Sequence, residues 1–393
     1  MNVKHKRVVL GDIANISSGG TPSRSNPAYW NGNIPWVKTT QIQNCIINKT
    51  DVDEWITDEG LQKTSAKMIS AGTILMAMYG QGKTRGQVSI LNFDASINQA
   101  CAAIDLKNGI CRDFVYQSLL ASYTRIRNMS NTGGQENLSA GLIKEIPITL
   151  PPLPEQQAIA DLLSIWDEAI EKIERLIQAK EANLKGQIQK SISQQCNSWP
   201  HIKPKKIFDT ITEKNFPEEE LLSVTQDRGV IPRSMLEGRV MSPGGTTASY
   251  KLIKRGDFAI SLRSFQGGIE YSNYQGIISP AYTVLRPRMK LNKDFYRLFF
   301  KSYIFIEKYL NLAVIGIRDG KQISIPDFLS IKIPVPPLEE QKEIAEALLI
   351  WQQEINLLKQ LADKYKTQKR GLMQKMLTGE WRIKPKIVKT YEE

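Results

Sequence analysis

The side chains best placed for chemistry in this sequence are hydrogen-bonding groups on short, mostly glycine-rich loops. The first half holds Ser17-Ser18-Gly19-Gly20-Thr21-Pro22-Ser23-Arg24 with Tyr29-Trp30, then Tyr79-Gly80-Gln81-Gly82-Lys83-Thr84-Arg85-Gly86, and Asn131-Thr132-Gly133-Gly134-Gln135. The second half holds Thr225-Gln226-Asp227-Arg228, Arg263-Ser264-Phe265-Gln266-Gly267-Gly268, and Arg318-Asp319-Gly320-Lys321-Gln322. Arg and Lys suit the acceptors of guanine, Gln the paired donor and acceptor of adenine, and Ser or Thr adapt to either. The chemistry such loops offer is the reading of base edges in a DNA groove. The candidate contacts are Thr21, Ser23, Arg24, Tyr29, Gln81, Lys83, Thr84, Arg85, Gln135, Gln226, Arg228, Arg263, Gln266, Arg318 and Lys321. Half or more of protein–DNA hydrogen bonds go to the backbone, so each could equally hold a phosphate.

Other chemistries lack raw material. The chain has two histidines, His5 and His201, and four cysteines, Cys45, Cys101, Cys111 and Cys196, with no CxxC pair. A zinc site, a Cys–His nucleophile or a Ser–His–Asp triad therefore has little to build on, and no catalytic or metal-binding residue is expected. Gly80-Gln81-Gly82-Lys83-Thr84 looks like the end of a phosphate-binding loop. The earlier glycine such a loop needs would fall at Ala77, and strand-like Gln87–Leu91 follows where a helix must begin. There is no GxGxxG, and Pro151-Pro152 lies between Leu150 and Leu153, so it is not the Asp/Asn-Pro-Pro-aromatic motif of an amino-methyltransferase. The unpaired cysteines and the absence of an apolar stretch after Met1–Arg7 predict a cytoplasmic protein. The most apolar stretch, Phe295–Leu310, is broken by Arg297, Lys301, Glu307 and Lys308, so no membrane span is expected.

What must position those loops is a repeat. Pro151-Pro152-Leu153-Pro154-Glu155-Gln156-Gln157-Ala158-Ile159-Ala160 recurs as Pro336-Pro337-Leu338-Glu339-Glu340-Gln341-Lys342-Glu343-Ile344-Ala345, offset by 185 residues. The offset holds without a gap through Leu163/Leu348, Ile165/Ile350, Trp166/Trp351, Ile170/Ile355, Leu176/Leu361, Gly186/Gly371 and Gln189-Lys190/Gln374-Lys375. Each copy starts at a Pro-Pro pair, continues without proline through good helix formers, and carries Glu in its first turns. Both copies are predicted to be long helices. Their apolar positions step by three and four, including Trp166, Leu176, Trp351 and Leu361, which predicts a heptad-like seam between them with the tryptophans in the core.

The chain order is then globule, helix, globule, helix. Each helix could reach roughly 60 Å, against a radius of gyration near ~14 Å for a globule of this size. The second globule cannot readily return the chain along the first helix, so the helices should run antiparallel and hold the globules at opposite ends. The globules echo one another, Gly72–Ala77 with Gly256–Ser261 and Asn137-Leu138-Ser139 with Gln322-Ile323-Ser324, which predicts a pseudo-twofold internal repeat. Net charge is +4 over residues 1–150, −2 over 151–197, +8 over 198–335 and +2 over 336–393. Positive charge sits mainly on the globules, as expected if they meet a polyanion while the helices act as spacer or partner surface. Two basic modules on a helical spacer suit dyadic duplex DNA, and since the globules differ in sequence the expected site is bipartite and asymmetric.

Together these residues resemble the specificity subunit of type I restriction-modification systems. The likeness rests on Ile148–Ala160, its second copy Ile333–Ala345, and the ending Arg370–Glu380. It extends to Gly19–Ser23 with Tyr29-Trp30 and Ile34-Pro35-Trp36, to Gly256–Ile260, and to Ser279–Tyr282. The resemblance implies an α+β chain with target-recognition domains at 1–150 and 198–335. Conserved antiparallel, coiled-coil-like helical regions would occupy 151–197 and 336–382, with a C-terminal tail at 383–393. It implies a non-catalytic reader of double-stranded DNA with no cofactor of its own. Two methyltransferase subunits would bind S-adenosylmethionine, and restriction subunits would use ATP and Mg. The competing readings are a stand-alone DNA methyltransferase or endonuclease, and a two-domain helical scaffold.

Overall fold

A computed structural model describes residues 5–80, 82–129, 137–236, 247–261, 268–316 and 322–392. The chain divides into two compact units, residues 1–172 with 361–393, and residues 173–360, so each long helix contributes a part to both.

In the first unit a five-stranded sheet runs in the order Ala14–Ser18, Cys101–Leu106, Ile74–Ala77, Val88–Leu91, Ile46–Ile47. Its central strand, Ile74-Leu75-Met76-Ala77, is buried on both faces. Ile74 and Met76 join a core containing Phe114, Val115 and Leu119 from helix Arg112–Ala121. Leu75 and Ala77 join a second core with Val37, Ile42, Leu91 and Ile97. The two-residue strand period thus deals one apolar run to two cores. Strand Lys6–Val9 pairs antiparallel with Pro147–Leu150, the segment that leads into the first long helix.

The second unit repeats the order with one strand fewer: Phe208–Ile211, Tyr282–Pro287, Phe258–Ser261, Ile269–Tyr271. The equivalent inner strand Phe258–Ser261 again splits its side chains, Phe258 and Ile260 into an aromatic core with Phe295, Tyr296, Phe299 and Phe300, and Ala259 into a smaller one. His201–Ile202 pairs with Ile333–Pro334 just before the second long helix, as Lys6–Val9 does before the first. The sequence echoes have local causes. Gly72 and Gly256 take left-handed turns, φ 88° and 101°, ahead of these two equivalent strands. Ser139 and Ser324 accept the N–H of Leu142 and Asp327 at the starts of short helices.

The long helices are Leu153–Gln195 and Leu338–Leu377. Leu163, Ile170, Ile177 and Leu184 are buried at every seventh position of the first, and Leu348, Ile355, Ala362, Lys369 and Met376 at every seventh of the second. In the first unit Glu155 meets Arg382 and Asp167 meets Lys369. In the second Glu181 meets Lys359, and Trp199, just past the end of the first helix, donates to Glu340. Residue numbers fall on one side as they rise on the other, so the helical segments in each unit run antiparallel. Exposed ion pairs such as Lys359–Glu181, 2.7 Å, contribute at most about 1 kcal/mol, leaving the apolar seam as the main attraction. The seam is narrower than the sequence suggests. Leu176 and Leu361 lie on the exposed side, and Trp166 and Trp351 are half-buried, with Trp166 packed on Tyr365 and Trp351 beneath the Lys180 ammonium. Lys369, absent from the apolar pattern, is buried in it and reaches Asp167 at 2.5 Å and Gln117 at 3.3 Å.

Each long helix is fastened to its globule by one buried carboxamide. Gln156 donates to the Pro151 carbonyl at 2.8 Å and accepts the Cys111 N–H at 2.9 Å, where Cys111 starts helix Arg112–Ala121. Gln341, 185 residues on, donates to Pro336 at 2.8 Å and accepts from Asn292 at 2.8 Å, where Asn292 starts helix Lys293–Phe299. The neighbouring Glu155 is buried too, gripped by the Arg382 guanidinium through two 2.6 Å hydrogen bonds and approached by His5 at 3.4 Å. Burial pushes the Glu155 carboxyl up, and the Arg382 fork with His5 outweighs it, holding the group below its ordinary range. The last residues are thereby tied down: Ile383 packs on the first core and Tyr391 donates to Asp161 at 2.8 Å.

Replacing either glutamine by leucine strands a buried N–H and a buried carbonyl. Gln156→Leu and Gln341→Leu should each lower stability by roughly 2–4 kcal/mol in urea denaturation. A loss below about 0.5 kcal/mol at either position would contradict the clamp.

Candidate nucleic-acid interface

The loop from Ser17 to Arg24 is shaped from behind. A Cβ on Gly19 would strike the Ile97 carbonyl and one on Gly20 the Ser65 backbone, while the Gly20 carbonyl accepts the indole N–H of buried Trp36 at 3.0 Å. Its glycines therefore serve packing. Thr21 donates to Gln99, and the Ser23 and Ser25 hydroxyls share a 2.8 Å hydrogen bond. Arg24 lies over Trp30, 3.9 Å from the ring centroid, and pairs with Glu54 at 2.5 Å. Glu54 also receives Lys38 at 2.6 Å. Tyr29 is half-buried at the end of the 3-10 turn Pro27–Tyr29, its carbonyl accepting Thr57 N–H at 3.0 Å. Thr21, Ser23 and Arg24 are thus brought to one loop, but the Arg24 guanidinium already has a carboxylate and an indole face.

The second loop divides. Arg85 is 6% exposed and donates to the Arg127 carbonyl at 3.2 Å, so this candidate DNA contact is an interior structural cation. The strand Val88–Leu91 after it confirms that no phosphate-loop helix forms there. Lys83 and Thr84 instead face an open cleft of about 380 Å³ with Thr39, Thr40, Gln43 and Gln87. The far wall is the turn Thr39–Gln41 and its continuation, anchored where the buried Ser89 hydroxyl accepts the N–H of Gln43 and Cys45 at 3.2 and 3.3 Å. Asn44 accepts the Val88 N–H at 3.1 Å. The near wall is held by Gly86 N–H to Ala77 O, Gln87 N–H to Thr84 O, and the Tyr123 hydroxyl to Lys83 O at 2.6 Å. Thr39, Thr40, Gln43 and Gln87 escaped the sequence reading. The only signal was the polar run Thr39-Thr40-Gln41-Ile42-Gln43 directly after a buried strand.

In the second unit Gln226 and Arg228 sit on the exposed turn between Leu222–Thr225 and Gly229–Pro232. Thr225 fixes the turn by accepting Arg228 N–H at 3.1 Å, the Gln226 carbonyl accepts Lys301 at 2.9 Å, and Arg228 reaches the Met235 carbonyl at 3.1 Å. Gln81, Gln135, Arg263, Gln266, Arg318 and Lys321 lie outside the described residues. Among the described residues no group of three or more His, Cys, Asp or Glu could hold a metal, and no helix is long and apolar enough to cross a membrane.

Residues 2–181 and 237–366 match the family model of the type I restriction modification DNA specificity domain. The chain belongs to that family. Each matched segment of this DNA specificity chain carries one of the two glutamine clamps. The chain is 24% identical over 408 residues, 96% of its length and 93% of the other's, to the type I restriction enzyme MjaVIII specificity subunit of Methanocaldococcus jannaschii. Its fold is similar to the crystal structure of the type I restriction-modification S subunit from M. genitalium, with TM-score 0.53, 17% identity and 96% of each chain covered. It is also similar to a chain from a structure addressing complex assembly and conformational transition of the type I R-M system, with TM-score 0.58, 15% identity, and 95% and 97% covered.

The Arg24 cluster of this specificity chain carries a pH signature. Burial pulls the Glu54 carboxyl upward, but hydrogen bonds from Arg24 and Lys38 outweigh it and leave Glu54 below its ordinary value. A depressed carboxylate stabilises the fold above its unfolded pKa of about 4.3, and that contribution disappears as pH falls through the lower folded value. Stability should therefore drop on acidification below about pH 4, with a change in Trp30 fluorescence that Glu54→Gln abolishes. An unaltered acid transition in the variant would show that the cluster is not coupled to folding.

Proposed function

We propose that this chain is the non-catalytic, cytoplasmic DNA-reading subunit of a type I restriction-modification complex, recognising a bipartite, asymmetric site through its two units. The carrying observation is the pairing of a repeated framework with unrepeated loops. The glutamine clamp, sheet order and N-capping serines recur in both units, whereas the loops that offer Thr21, Ser23, Arg24, Lys83 and Thr84 in the first have no sequence counterpart in the second, which offers Gln226 and Arg228. A common framework with different polar tips fits one half-site per unit. In this reading 1–150 and 198–335 are target-recognition domains, and 151–197 and 336–382 are spacer helices.

The same repeat supplies two docking faces. Ile165 and Ile350, related by the 185-residue offset, are 64% and 69% exposed, and Leu176 and Leu361 are likewise exposed. Solvent-facing apolar residues at equivalent places suit two copies of one partner. We assign them to two methyltransferase subunits, which supply the S-adenosylmethionine chemistry, with ATP- and Mg-dependent restriction subunits completing the complex.

Co-expression with the methyltransferase subunit in a methylation-free host, followed by sequencing of modified adenines, should reveal one split motif methylated on both strands. No methylation by an assembled complex with active partner would overturn the reading in favour of a scaffold. Ile165→Glu and Ile350→Glu should each remove one methyltransferase subunit from the complex, read by mass photometry, and the double variant both. Full assembly by the double variant would place docking elsewhere.

A further inference from the structure

Gln87 stands out in the cleft of the first unit because its side-chain carboxamide makes no hydrogen bond to any described residue, although the side chain is half-buried. The Thr39, Thr40 and Thr84 hydroxyls and the Lys83 ammonium, on the same lining, also bond to no described residue. Gln43 spends its side-chain amide nitrogen on the Thr40 carbonyl at 2.7 Å, and its side-chain oxygen bonds to no described residue. Thr39, Thr84 and Gln87 are half-buried yet uncommitted, exposed Thr40, Gln43 and Lys83 stand beside them, and the two walls that carry the set are themselves firmly hydrogen-bonded to the sheet. Such a set is preorganised for an external ligand.

The lining decides the class of ligand. Among the described residues it contains no aromatic or large aliphatic side chain, so a small metabolite would find little of the apolar wall that pockets for such molecules provide. Its described residues include one cation, Lys83, which does not match a polyphosphate. A base pair still stacked in duplex DNA needs no apolar wall, because its neighbours supply the stacking; it asks only for donors and acceptors along its exposed edge. A free carboxamide matches adenine N6 and N7, threonine methyls suit the thymine methyl, and one ammonium at the rim suits a single phosphate. The two other arginine candidates nearby are less available, Arg24 being engaged by Glu54 and Trp30, and Arg85 buried.

We infer that this cleft reads an A·T pair in the half-site of the first unit, with Gln87 on the adenine edge, Thr39, Thr40, Gln43 and Thr84 as supporting contacts, and Lys83 on the flanking phosphate. The inference rests on the DNA-reading function proposed above.

The test maps methylated adenines after co-expression of each full-length variant with the methyltransferase subunit. Gln87→Ala should relax discrimination on the order of tenfold or more at one A·T position of one half-site and leave the other half-site intact. Gln87→Glu should shift preference at that position toward cytosine, whose N4 amino group a carboxylate accepts. Lys83→Ala should weaken binding evenly across sequences and lower the salt slope of DNA affinity by about one. Gln43→Ala, on the opposite wall, should alter the same half-site, which keeps the test open if a Gln87 variant fails to assemble. A wild-type motif that persists unchanged in Gln87→Ala and Gln43→Ala would overturn the cleft assignment alone, as would a uniform loss or a change confined to the other half-site. A wild-type complex that leaves the genome unmethylated would overturn the DNA-reading function and the cleft with it.

Discussion

A helix of some forty residues can slide or swivel on an apolar bed, and contact area alone does little to set its depth and angle. In this protein the setting falls to a single buried carboxamide in the first turns of each long helix. Gln156 and Gln341 each bridge the Pro-Pro entry and the first residue of a globule helix. A carboxamide has both a donor and an acceptor, so it satisfies two backbone groups that the junction would otherwise bury without partners.

The polar loops rest on a framework of buried strands. The strands on which they are hung lie between two cores in the first unit, and the central strand is sealed on both faces. Loop side chains can change without reaching those cores. Where a loop residue does turn inward, as Arg85 does, it becomes part of the framework.

The helices and their antiparallel course were legible because two proline pairs mark their starts and buried residues recur every seven positions. Sheet order was not, since a doubly buried strand such as Ile74-Leu75-Met76-Ala77 shows no alternation of polarity to reveal its faces. Leu176 and Leu361 fit the apolar spacing of the seam yet lie exposed, because spacing alone does not distinguish a buried stripe from its solvent-facing margin. The sequence reading omitted Lys369, whose charge disguises a seam position. At the candidate interface the loops were found but their company was not. Thr39, Thr40 and Gln43 meet Lys83, Thr84 and Gln87 only through strand pairing across more than forty residues, a convergence that local pattern does not carry.

Lys369 breaks the repeat where it otherwise holds best. Its counterpart 185 residues earlier is Leu184, and the counterpart of its partner Asp167 is Gln352. Two first copies laid side by side would set Leu184 against Asp167 and leave the carboxylate with no cation. Two second copies would set Lys369 against Gln352, an ammonium buried without its counter-charge. The two helical segments of the first unit are therefore keyed to each other like plug and socket: at this position one ion pair favours the unlike partner over a copy of the same segment.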